Sequence, residues 1–225
     1  MMSHRRLGAV VAALAAVILM AGPALAAKPQ FVFKESGTSA FAGTEFSCTD
    51  NEDGSTTCTG TFLDVFAGKS KELGTSTMRS ERVCYNQFSD TFDPATGEFI
   101  EFTQLFGCAF DTGTLTIDNL TSITLAETEV SLVEFVCDLD GCTESPDGTV
   151  VVEGTFTGVG PISSQKGKFR FDDGTCTSAV MEKGISRDAS FSGTVNGDPF
   201  AAEFASIGQG KFSFRTTCGG EVPAN

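Results

Sequence analysis

GKFRFDDGTC, residues Gly167 to Cys176, has an echo in GKFSFRTTC, residues Gly210 to Cys218. In both stretches Phe alternates with a basic or polar residue, and a cysteine ends the run. Such alternation has the period of a pleated strand, on which residues i and i+2 share a face. Phe169 and Phe171 then point one way, Lys168 and Arg170 the other; Phe212 and Phe214 likewise oppose Lys211 and Ser213. An inward Phe face and an outward basic face account for every residue. The expectation is a repeated piece of scaffold rather than a site.

The same pattern runs outward from this pair. Phe31-Val32-Phe33, Phe99 to Phe102 and Val150-Val151-Val152 are short runs of β-favouring residues bounded by Gly, Asp and Pro. Beyond the N-terminal segment, apolar residues do not recur at helical spacing. Gly-Thr followed by an apolar residue occurs at Gly60, Gly113, Gly154 and Gly193, each 22 to 25 residues before a cysteine. That lag predicts four strand–turn–strand units in a single all-β domain over residues 27–225. The expected fold is a disulfide-stapled antiparallel β-barrel, since closure removes exposed edges, with a β-sandwich as the alternative. A barrel of about eight strands is either filled by its own side chains or holds one small ligand. The 21 Phe residues suit both.

Residues 1–26 read as a secretory signal. Arg5 and Arg6 precede an apolar run from Leu7 to Met20, and Gly22-Pro23 breaks it before Ala24-Leu25-Ala26. The run is short for a membrane span. The expectation is export to the extracellular space without membrane insertion. Cleavage removes His4, the only His, so Ser-His-Asp and Cys-His arrangements are excluded. The chain has no Trp and one Tyr, Tyr85, which leaves few flat faces for sugars. Ser163-Ser164-Gln165-Lys166 has an S-x-x-K form, but Pro161 and Gly167 point to a turn, and no S-D-N or K-T-G accompanies it.

Eight cysteines in an exported chain read as four disulfides. Local turn chemistry selects one pairing among 105. Glu52-Asp53-Gly54 suits a hairpin that brings Cys48 to Cys58, and Asp93-Pro94-Ala95-Thr96-Gly97 suits one that brings Cys84 near Cys108. Cys137 and Cys142 bracket Asp138 to Gly141, which leaves Cys176 with Cys218. The alternative, a cysteine-rich metal site, lacks its closely spaced pairs.

Charge is lopsided. The chain has 29 acidic and 15 basic residues, a net charge of −14. Between Val83 and Gln165 there are 14 acidic residues and no Lys or Arg. On net charge, nucleic acid and anionic membranes are set aside, and a cationic protein or an apolar small molecule is the expected partner. Asp50, Glu52 and Asp53 cluster hard oxygens in a turn, and Asp138 and Asp140 do so in a second, which makes calcium the one cofactor to consider. Neither stretch has the EF-hand pattern, and Asp-Gly turns form without metal.

The missing catalytic apparatus argues against an enzyme. The leading expectation is a secreted, non-enzymatic β-barrel that acts as a binding or surface-interaction module. A carrier, or an isomerase or cyclase using carboxylates or Arg in a Phe-lined cavity, is a second reading. A calcium-stabilised extracellular structural protein is a third.

Overall fold

Runs of Phe, Val and Thr punctuated by Gly and Asp become twelve strands in the computed structural model, which describes residues 30–71, 78–138, 141–172 and 176–218. The signal read at 1–26 lies outside the described residues. The strands are β1 (Gln30–Gly43), β2 (Ser47–Asp50), β3 (Thr56–Lys71), β4 (Met78–Phe92), β5 (Phe99–Phe110), β6 (Leu115–Asp118), β7 (Ser122–Asp138), β8 (Gly141–Gly158), β9 (Ser163–Asp172), β10 (Cys176–Val195), β11 (Asp198–Pro199) and β12 (Phe204–Cys218).

All pairings are antiparallel and belong to one sheet, in the order β1-β12-β10-β8-β7-β5-β4-β3-β2. A further pairing of β1 with β3, from Lys34↔Lys71 to Gly43↔Phe62, returns the path to its start. The hydrogen-bonded neighbours therefore form a ring of eight strands, with β2, β6, β9 and β11 attached at its margins. Inward-pointing residues of six strands of the ring meet in one core, where Ala40, Leu63, Val83, Ile123, Val130, Val152, Phe156 and Ile207 are at most 2% exposed, and Ala109 of β5 and Ala189 and Phe191 of β10 pack against it half-buried. Burying such side chains is worth about 1.5–3 kcal/mol apiece for the larger ones, the main term that holds the sheet closed.

Turns follow local chemistry. Gly54 and Gly97 take left-handed φ of 88° and 73° in the β2–β3 and β4–β5 hairpins, and Asn196-Gly197 takes 52° and 83° between β10 and β11. Disulfides join Cys48–Cys58, Cys84–Cys108 and Cys137–Cys142, each across directly opposed strand positions. Cys176 and Cys218 stand opposite each other in the backbone register of β10 and β12; their side chains lie outside the described residues.

The expected repeat is not a structural one. Gly113 lies in a loop with φ 69°, whereas Gly154 and Gly193 pair directly across β8 and β10 beneath the Phe191 ring. The Gly-Thr pairs therefore meet separate local needs. Likewise β9 and β12, which carry the two echoing stretches, do not close successive units: they flank β10 on its two sides. Ser163 to Lys166 begins a strand rather than forming a turn.

One row of residues governs how the strands leave the ring. Gly184, Gly210, Gly37 and Gly68 are mutual register partners across β10, β12, β1 and β3. A Cβ on Gly37 would stand 2.2 Å from the Ala67 oxygen, and one on Gly210 would stand 2.6 Å from the Lys183 oxygen. Backbones this close need glycine. The missing Cβ atoms lie on the face that carries Phe33, Glu35 and Phe212, so the four backbones crowd together on that face, while Lys34, Lys69, Lys183 and Lys211 are exposed on the opposite one. Beyond this crease β9, β10, β12, β1 and β3 continue as the five main strands of a plate, with Met78 and Arg79 of β4 paired beside β3.

Candidate binding face

Register decides which side chains meet on the plate. Lys166 of β9 is opposite Lys183 of β10, which is opposite Lys211 of β12. That row continues through Ser36 of β1 to Lys69 of β3. The next row outward reads Lys168, Met181, Ser213, Lys34, Lys71, and the one after it Arg170, Ala179, Arg215, Val32. Because the rows are two residues apart, all three share one face. Lys34, Lys69, Lys71, Lys166, Lys168, Arg170, Lys183, Lys211 and Arg215 are all exposed on it.

Most acidic neighbours fall elsewhere, although Asp172, opposite Thr177, continues the β9 row of this face. Glu35 and Glu182 alternate onto the opposite face, and the described salt bridges belong to Arg79 and Arg82. Among the described residues no carboxylate is paired with any lysine of the face. At its centre Val32, Lys34, Ala179, Met181, Ser213 and Arg215 line a depression of about 470 Å³. Its floor is apolar and its flanks are cationic.

This arrangement is costly. Directly opposed residues of neighbouring strands have Cβ atoms about 5 Å apart, and like charges there destabilise the sheet. Lysines on a free sheet edge protect it from pairing with another chain. That reason serves β9, an edge, but β10, β12 and β1 are each paired on both sides. Lys183, Lys211 and Lys34 therefore need another reason.

The reverse face of the plate is closed at β1 and β3 but not at β9, where Phe169 and Phe171, expected from the sequence to point inward, are 36% and 52% exposed. The Arg82 guanidinium of β4 donates to Asp64 of β3 at 2.8 Å and to Glu35 of β1, between the Phe33 and Phe66 rings. Burial works against the Arg82 charge, yet Asp64 and Glu35 outweigh it and hold its pKa raised. For Glu35 burial wins: loss of water lifts its pKa to about 7 despite Arg82, and repulsion from Asp64, which shares the same guanidinium, adds to the rise. The trio spans the β1–β3 pairing that completes the ring. It has the buried acid and Arg that a cyclase or isomerase would need, but the depression lies on the other side of the sheet.

The calcium candidates are engaged by the turn itself. Asp53 Oδ1 accepts from the Ser55 amide at 3.0 Å and the Ser55 hydroxyl at 2.6 Å, and these bonds hold its pKa down. Asp50 Oδ1 accepts from the Thr56 hydroxyl at 2.8 Å, and Glu52 is exposed. Among the described residues no group of three or more His, Cys, Asp or Glu is placed to hold a metal ion. In the second turn the Asp138 carboxylate accepts from the Gly141 amide at 3.0 Å, while Asp140 lies outside the described residues. Tyr85 is 6% exposed and donates to Gln87 at 3.0 Å.

Sequence reasoning placed Lys168, Arg170 and Lys211 on outward faces without bringing them together, read Lys166 as part of a turn, and missed Lys34, Lys69, Lys71, Lys183 and Arg215. The missed signal is the alternation Lys34/Ser36 and Lys69/Lys71, which has strand period and no acid in phase. Compared with known families and with characterised proteins, the chain matches neither a family model nor a curated protein.

Proposed function

We propose that this protein is a secreted, non-enzymatic β-barrel binding module, and that the five-stranded cationic face is its binding surface for anions. One observation carries the reading: Lys183 stands directly opposite Lys211, and Lys34 opposite Lys71, on strands that are paired on both sides, where edge protection does not require them. Fifteen buried residues fill the middle of the ring, which favours surface binding over a lined lumen. Net charge led to the opposite expectation about anions, because a sum over the chain conceals where its cations sit.

The test is retention on a sulfonate cation exchanger at pH 7 and low salt. A chain with net charge −14 and evenly mixed charge flows through. The expected result is retention, lost when Lys166, Lys183 and Lys211 are all replaced by Thr. Flow-through of the unaltered protein sinks the reading.

A further inference from the structure

We propose that the anion taken by this face is the acidic end of a second copy of the chain, so that molecules join head to tail. The inference rests on the anion-binding reading above and adds the identity of the partner.

Strand direction places the complement. In an antiparallel ring the β2–β3, β4–β5 and β7–β8 hairpins all turn at the end where β1 finishes and β12 begins. The cationic plate extends from the opposite end, where β1 begins and β12 finishes. The three hairpins carry Asp53, Asp93, Glu98, Glu101, Asp138 and Glu144. Residues 37–67, 83–165 and 188–210, which include all the strand segments at that end, contain no Lys or Arg. One end is therefore purely acidic and the other carries nine cations on one face. Each end also exposes apolar side chains among its charges: Met181 is 51% exposed on the plate, and Phe99 and Ile100 are 39% and 40% exposed at the acidic end. Charge sets the pairing, and burial of these side chains adds to it.

Because the two surfaces differ and sit at opposite ends, the contact is heterologous, and successive copies extend an open chain rather than closing a two-fold dimer. Salt acts in two directions. At low salt two molecules of net charge −14 repel at long range. Near 0.15 M the screening length is about 8 Å, which removes that repulsion but spares contacts within the interface. Near 1 M it is about 3 Å and the contacts weaken too. Association is greatest at intermediate salt.

Sedimentation velocity of the purified protein tests this, with two variants. One, K166T/K183T/K211T, loses the cationic rows; the other, E98Q/E101Q/E144Q, loses charge at the acidic end. The unaltered protein is expected to show a weight-average sedimentation coefficient that grows with concentration, rises from low to about 0.15 M salt and falls again by about 1 M. Each variant alone is expected to be monomeric. Mixed in equal amounts they are expected to form a one-to-one pair and stop there, since each pair keeps one intact contact. A misfolded variant could not supply its half of that pair. Unaltered protein that stays monomeric at every salt yet is held by the sulfonate resin overturns the inference and leaves anion binding standing. A variant mixture that remains monomeric overturns it as well. Flow-through from the resin removes the reading beneath it.

Discussion

Glu35 shows how a single carboxyl ties pH to stability. It is taken out of water between β1 and its neighbours, and Arg82, shared with Asp64, does not compensate fully. Its pKa of about 7 lies above the ordinary 4.5, so between those values the folded chain holds a proton that the unfolded chain has released. The contribution is present in full below about pH 4.5, shrinks as pH rises, and is gone once pH passes the folded value. At 1.36 kcal/mol per pH unit, the span corresponds to about 3 kcal/mol at most. Urea unfolding at pH 4.5, 6 and 7.5 should show the unaltered protein losing stability relative to Glu35→Gln across that window. Parallel pH profiles would mean that Glu35 titrates normally and that the trio is solvated.

Strands explain more than residues do about where the cationic face points. Gly208 and Gly210 lie two apart on β12 and share a face, yet only Gly210 belongs to the crease. A Cβ on Gly208 meets nothing nearer than 3.7 Å, whereas one on Gly210 meets the Lys183 oxygen at 2.6 Å and the Gly184 Cα at 2.8 Å. Forcing atoms into a closed backbone approach costs about 1–3 kcal/mol, while Gly→Ala in open strand geometry is neutral or slightly favourable. Gly210→Ala should therefore lower the urea midpoint clearly and loosen retention on the sulfonate resin. Gly208→Ala should change neither. Equal behaviour of the two would remove the crease as the device that orients the plate.

The whole molecule separates its charges by topology, and this is also the limit of what its sequence discloses. Strands, hairpin turns and the Cys48 to Cys58 register depend on neighbours within a dozen residues, so Asp53-Gly54 and the alternating Phe runs make them readable. Lys166, Lys183 and Lys211 are brought together only by the β9–β10 and β10–β12 registers, and Lys69 only by the ring-completing β1–β3 pairing. No local pattern encodes such neighbours, which is why neither the net charge nor the echoing GKF stretches disclosed the cationic rows. The two accounts differ in their energetics. If the lysines serve folding through the apolar stems that Lys lays along a sheet, removing them destabilises. If they serve binding, they are held against mutual repulsion, and removing them releases it. K166T/K183T/K211T relieves two directly opposed pairs and introduces β-branched residues suited to strands. The expected outcome is a gain of about 1 kcal/mol in urea unfolding at low salt, shrinking as salt screens the pairs, together with loss of resin retention. A variant that is less stable at every salt would return Lys166, Lys183 and Lys211 to the scaffold.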